Sequence, residues 1–283
     1  VSSLFTVLPL PLSLLMALLA GGMLTRALLP GMINVIMEAG FVRPNFRGDD
    51  IPLGVGVVFA LSGIGAVTVF YLFLPPRMQS EAMLFLLALV AFTCLGLVDD
   101  AWGSRATTGL KGHLSSLCRG RLTTGALKAV GGFVIALLLS AASAPWSWLW
   151  TPIDTFMLVL SVNAINLLDL RPGRAGKGFL LAVAVLLGAG WGKPELFFAL
   201  LVTGSLLAYL RVDLRARAMM GDTGANALGG ILGLTAVWVL PPVLKAGYLC
   251  MLIALHLFAE KYSLTALIAR IPLLDQFDRW GRS

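Results

Sequence analysis

Charge is scarce in this chain: only 12% of its 283 residues are Asp, Glu, Lys or Arg, while 58% are hydrophobic. So little charge cannot give a globule a water-facing surface, which excludes a soluble domain and predicts a polytopic membrane protein. Histidine is almost missing. Neither of the two falls in a metal motif, so a zinc centre has no ligands to draw on. The three cysteines, Cys94, Cys118 and Cys250, lack metal-ligand spacing and sit in or beside apolar segments, where thiols serve as small hydrophobes rather than disulfides. No internal repeat, low-complexity stretch or linker interrupts the sequence. One integral membrane domain over 1–283 is therefore expected, with 259–283 as its tail.

What the chain has in quantity is apolar runs. A bilayer core takes about 20 residues per helix, and nine runs approach that length: Leu4–Leu29, Pro52–Leu74, Ala82–Val98, Thr124–Ala142, Pro152–Leu168, Gly178–Gly190, Leu196–Leu210, Gly224–Leu240 and Val243–Phe258. The fold class is thus an all-α bundle of about nine transmembrane helices. The first run lacks a basic leader and is too long for a signal core, so it reads as a span.

With the N-terminus outside, 18 of the 21 Lys and Arg fall on the cytoplasmic side, counting Arg26 and Lys128 near the cytoplasmic ends of their runs, and only Arg77, Lys193 and Lys245 fall outside. That bias fixes the orientation. It also accounts for the net charge of +7 without nucleic acid. The tail sets Leu264, Leu267, Ile268, Ile271, Leu274 and Phe277 against Lys261, Arg270, Asp275 and Arg279, the pattern of a helix lying in the membrane interface. Pro272 is expected to divide it in two.

Polar clusters gather on the cytoplasmic side. Asp99 and Asp100 close the third run, where paired carboxylates face the negative pole of a helix and call for a cation. A loop carrying Arg105, Lys111, His113, Arg119 and Arg121 follows. In Asn163-Ala-Ile-Asn166-Leu-Leu-Asp169 the polar residues share one strip of a helix. Such amides either glue helices together or meet a ligand. Arg171-Pro-Gly-Arg174-Ala-Gly-Lys177 combines cations and glycines in a way that suits a phosphate cradle, or equally a positive-inside anchor. Met220-Gly-Asp222-Thr-Gly-Ala-Asn226 opens the eighth run; Asp222 or Thr223 would cap that helix, and an Asp there can share a divalent ion with a bound anion. Arg43-Pro-Asn45-Phe-Arg47 leads to Ile51-Pro-Leu-Gly54-Val-Gly56, glycines that permit close helix approach.

Taken in order, Gly96-Leu-Val-Asp99-Asp100, Asn163-Ala-Ile-Asn166-Leu-Leu-Asp169, Met220-Gly-Asp222-Thr-Gly and the Pro52-Leu-Gly54 block resemble the signature blocks of the polyprenyl-phosphate N-acetylhexosamine-1-phosphate transferases. The resemblance covers about residues 43 to 263. It implies transfer of a sugar-1-phosphate from a UDP-sugar to polyprenyl (undecaprenyl) phosphate with release of UMP, magnesium as cofactor with manganese able to stand in, and a multi-pass protein of the cell membrane serving envelope polysaccharide synthesis. It also suggests a homodimer among the membrane lipids.

Residue by residue, the resemblance implies a magnesium ligand in Asp222. It implies catalytic and metal contacts for Asp99 and Asp100 near the lipid phosphate, and a nucleotide and catalytic cleft lined by Asn163, Asn166 and Asp169. Binding of substrate phosphates by Arg171, Arg174, Lys177, Lys111, His113, Arg43 and Asn45 is inferred from charge and polarity.

Two departures stand out. Where the family continues Asp-Gly-x-Asp-Gly, this chain reads Asp169-Leu-Arg-Pro172-Gly173, so a second acid is replaced. The His-rich cytoplasmic segment and the tenth span of the muramoyl branch are not found either, which argues against the peptidoglycan pentapeptide as substrate. A degenerate relative that binds lipid carrier or nucleotide as a scaffold is the alternative that Pro172 raises. A transporter fits poorly, because the polar clusters lie at one face rather than the midplane.

Overall fold

The computed structural model describes residues 8–103 and 123–282. Eleven α-helices are found among them: α1 (Leu10–Glu38), α2 (Val57–Phe70), α3 (Pro76–Trp102), α4 (Thr124–Ser143), α5 (Trp150–Leu168), α6 (Arg174–Ala189), α7 (Leu196–Leu214), α8 (Gly221–Val239), α9 (Pro242–Lys261), α10 (Leu264–Arg270) and α11 (Pro272–Arg279). Each of the nine apolar runs holds one of α1 to α9. Six of these, α1, α3, α4, α5, α7 and α9, are long and apolar enough to cross a membrane; α2 is shorter. The protein is a polytopic membrane bundle.

One short hairpin accompanies the helices. Strands β1 (Val42–Pro44) and β2 (Asp50–Pro52) pair antiparallel, with Arg43 opposite Ile51. Their turn is built by Asn45, whose side-chain oxygen accepts the backbone N–H groups of Arg47 (2.8 Å) and Asp49 (3.0 Å). Such local bonding is what Asn offers a turn.

Helix α8 is the axis. It packs chiefly against α3 and α5, and 17 of its 19 residues are buried. Small side chains along α8 let its neighbours approach closely, the usual basis of helix association in lipid. In contrast, α9 packs on α5 and buries only Leu252, leaving its apolar surface for lipid. Cys94 and Cys250 also lie exposed on outer helix faces, so they act as lipid-facing hydrophobes, not as core. Cys118 lies outside the described residues.

Helices α1 and α7 touch backbone to backbone. A Cβ on Gly204 would lie 1.8 Å from the Leu18 carbonyl oxygen, and one on Gly21 would lie 1.9 Å from that of Leu201. Beside this crossing, Thr25 donates to Ser62 (3.0 Å), and Ser62 meets the Ser205 hydroxyl at 3.0 Å, a polar seam joining α1, α2 and α7. Gly204→Val is expected to force the pair apart. Overpacking of this kind costs about 1–3 kcal/mol even where side chains can yield, and here backbone must move. Thermal unfolding in detergent should begin several degrees lower; an unchanged midpoint would show the crossing to be dispensable.

At the end of the bundle remote from Asp99, Arg77 binds Glu81 (3.0 Å) and Glu195 (2.8 Å), and Lys245 binds Asp154 (2.8 Å). These pairs hold helix N-termini together: α3 to α7, and α5 to α9.

Candidate active site

Asp99 and Asp100 occupy the last turn of α3, not the loop beyond it. Adjacent positions on a helix point about 100° apart, so the two carboxylates have separate surroundings. Asp100 turns inward. Its Oδ1 accepts the Asp222 N–H (3.0 Å), and its Oδ2 accepts the Thr223 N–H (2.9 Å) and hydroxyl (2.6 Å). It therefore caps α8 from another helix and places its charge at the positive pole. Neither Asp222 nor Thr223 caps its own helix, as the sequence had implied; the N-cap residue Met220 makes no side-chain cap bond. Both Asp100 oxygens are thus engaged in holding α8, and the buried side chain also borders the basin described below.

The seat is tight. Gly221 has φ +68°, and a Cβ there would lie 2.3 Å from Asp100 Oδ2. The Pro52–Gly56 block grips the same turn: Met219 donates to the Pro52 carbonyl (2.8 Å), while Val55 and Gly56 donate to those of Met219 (3.1 Å) and Met220 (3.2 Å). This is what the juxtamembrane glycine block does. It fixes the backbone that carries Asp222.

Asp99 turns toward α4. Lys128, one turn inside that helix, places its ammonium 3.5 Å from Asp99 Oδ2 and against Asp222 Oδ2. Two carboxylates from α3 and α8 thus converge on one cation. Lys128 escaped sequence reasoning because it lay within an apolar run, although a lysine there was itself the available signal.

Two concavities meet at this triad. A polar basin of ≈ 430 Å³ is walled by β1, the Asp169–Pro172 loop, Asp213 and the Met219–Asp222 turn. An apolar groove of ≈ 680 Å³ runs between α3, α4, α5, α8 and α9, with Asp99 and Lys128 lining it. Asp222 belongs to the basin, and Lys128 joins the two.

Arg43 enters the basin and donates to the Asp100 carbonyl (3.0 Å). Arg171 lines it with an exposed side chain. Asp169 also lines it; lost hydration first, then the charges of Asp213, Asp222 and Asp100, hold its carboxyl well above the ordinary range. Asp213, which no sequence motif singled out, accepts the Gly173 N–H (2.8 Å) and lines the basin too.

Several expected ligand residues are otherwise employed. Asn45 holds its turn and donates to the Ala216 carbonyl (3.2 Å), so its amide ties the hairpin to the segment before Asp222. Asn163 and Asn166 line the apolar groove and not the basin. The Asn166 amide donates to the Asn226 side chain, leaving Asn166 Oδ1 and Asn226 Nδ2 buried without a partner among the described residues.

Arg174 and Lys177 are the largest correction. Arg174 forks onto Asp278 (2.8 and 2.9 Å), and Lys177 donates to the carbonyls of Phe277, Asp278 and Trp280. Both are buried, both hold the tail, and neither lines the basin or the groove. Burial pushes the Asp278 carboxyl up, but Arg174 and Arg282 outweigh it and hold the group below the usual carboxylate value. Lys111 and His113 lie outside the described residues.

Among the described residues no three His, Cys, Asp or Glu side chains form a ready-made metal cage. A pair suffices for magnesium, however, which commonly takes one or two carboxylates plus substrate phosphates. The Lys128 ammonium marks where Asp99 and Asp222 direct a cation, so these residues fit the ion.

Comparison with known proteins shows the family. Phospho-N-acetylmuramoyl-pentapeptide-transferase of Clostridium novyi (strain NT) is 28% identical over 202 residues, 67% of this chain and 60% of that protein. The enzyme of the same name from Clostridium perfringens (strain 13 / Type A) is 29% identical over 228 residues, 77% and 69% of the two chains. That from Synechococcus sp. (strain JA-3-3Ab) is 33% identical over 165 residues, 56% and 47%. The chain thus spans less than two thirds of the Clostridium novyi relative's own length. The profile described as Glycosyl transferase family 4 matches residues 82–240, a stretch that includes Asp99, Lys128, Asp169 and Asp222. More than half of the sequence, together with the carboxylates that converge at the head of the groove, thus places the chain in glycosyl transferase family 4.

Proposed function

We propose that this protein transfers a sugar-1-phosphate, an N-acetylhexosamine-1-phosphate by family likeness, from a UDP-sugar to polyprenyl phosphate and releases UMP. The nine helices α1 to α9 span the membrane with the N-terminus outside, so the basin opens to the cytoplasm. The observation that carries the reading is the meeting of a polar basin and an apolar groove at Asp99, Lys128 and Asp222. A donor made of nucleotide and sugar suits the basin, and a prenyl chain suits the groove. Their phosphates would then meet at the triad.

In the reaction an oxygen of the lipid phosphate bonds to the sugar-bearing phosphorus of the donor. The bond from that phosphorus to the bridging oxygen breaks, and UMP leaves with the electron pair. The lipid phosphate is already a nucleophile, so positioning and charge neutralisation are what the protein must supply. Magnesium, held by Asp222 and Asp99, would reduce the repulsion between the two anions. Lys128 places a further positive charge at the junction, Arg43 and Arg171 bring guanidinium groups to the basin, and the groove keeps water from the prenyl chain.

Purified protein should release UMP from a UDP-sugar only when both polyprenyl phosphate and magnesium are present, with UDP-N-acetylglucosamine the first donor to try. The second reading, a binding scaffold, draws on Pro172 in place of an acid and on Lys128 seated between the carboxylates. Lipid binding without UMP release across a panel of UDP-hexosamines would select it.

A further inference from the structure

Helix α6 begins with two cations, Arg174 and Lys177, at its positive pole. That placement is unfavourable unless an anion answers it. The answer comes from a hundred residues away: Asp278 on α11 takes both arms of Arg174, and Thr265 on α10 accepts a third bond (2.8 Å). Lys177 in turn satisfies the last carbonyls of α11 (2.7–2.8 Å), a role well suited to lysine at a helix C-terminus. Arg282 completes the cluster, donating to Asp278 (3.1 Å) and to the Pro172 carbonyl (3.1 Å).

The tail is held by this cluster more than by apolar packing. Helices α10 and α11 bury only Leu264 and Asp278. What the cluster holds matters for the site, because the Asp169–Pro172 loop is a wall of the basin. Asp213 grips this loop at the Gly173 N–H, and the tail grips it at Pro172 and Arg174.

We propose that the C-terminal helix pair is a clasp that sets the Asp169–Gly173 wall of the basin, with Asp278 as its positioning residue. The functional part of this inference rests on reading the basin as the nucleotide-sugar site. Asp278 touches neither concavity, so its removal acts through the loop. Breaking a buried ion pair by removing one partner is strongly disruptive, because the other charge is left behind.

The test combines hydrogen exchange of the loop amides with steady-state kinetics on the full-length protein. In Asp278→Ala, amides of residues 170, 171, 173 and 174 should exchange at least about tenfold faster, while α3 and α8 remain protected. KM for the UDP-sugar should rise about tenfold or more, and KM for polyprenyl phosphate should stay within about twofold. Lys177→Met, which removes the carbonyl contacts and the ammonium over the Phe277 ring but leaves the Arg174–Asp278 pair, should give the same pattern and decides the matter if Asp278→Ala does not fold. Unchanged loop exchange in a folded variant, or equal changes in both KM values, would overturn the clasp. If the parent protein turns over no donor, the function proposed above fails, while the exchange comparison still judges the clasp.

Discussion

Asp222→Ala should lower UMP release by about 10²–10³-fold, the usual scale for removing one group that stabilises charge at a reacting centre. The fold should survive. Asp222 is partly exposed at the mouth of the basin and contributes no cap to its own helix, so thermal unfolding should stay close to that of the parent. Asp99→Ala should behave in the same way, since its carboxylate is the other partner of Lys128. Chelation of divalent ions should silence the parent protein, and added magnesium should restore it. Turnover measured with and without chelator, beside a melting curve, checks the whole set; normal turnover in Asp222→Ala would remove the carboxylate from the mechanism.

Asp100→Ala should lose both activity and stability, and that double loss separates it from its neighbour. The substitution leaves the N–H groups of Asp222 and Thr223 and the Thr223 hydroxyl without their acceptor. Each buried donor left unpaired costs about 1–3 kcal/mol. Relaxation and entering water recover part of that, so a net loss of about 2 kcal/mol, the upper end for a helix cap, is expected. Activity should fall about 10²-fold, because the α8 terminus that carries Asp222 is no longer fixed, and small displacements of a reacting group have effects of that size. Melting temperature and turnover measured on Asp99→Ala and Asp100→Ala give the comparison. Equal stabilities would show that Asp100 does not hold α8.

The acidic members of the candidate site were legible from residues alone, and the reason lies in cost. In an apolar chain each carboxylate and amide needs a partner, so Asp99, Asp100, Asn166, Asp169 and Asp222 stood out against their surroundings. The same logic failed for cations. Lys128 passed unremarked as a site residue inside a span, and Arg174 and Lys177 suited a phosphate cradle and a positive-inside anchor equally. A positive charge near a membrane surface has too many uses for its sequence position to tell them apart. Whether such a side chain faces a carboxylate, a carbonyl or a ligand depends on segments about 100 residues away, as with Lys177 and Phe277 or Lys128 and Asp222.

By itself the sequence determined the membrane bundle, its nine apolar runs, the break of the tail at Pro272 and the set of acidic residues in family order, because hydropathy and helix-breaking are local properties. Only the tertiary structure decided what each charge does. It divided two adjacent aspartates between a helix cap and a cation pair, brought a lysine between Asp99 and Asp222, and gave the cations of α6 to the tail. Electrostatic partnership acts across a few ångströms of space. Distance along the chain says nothing about it until the helices are packed.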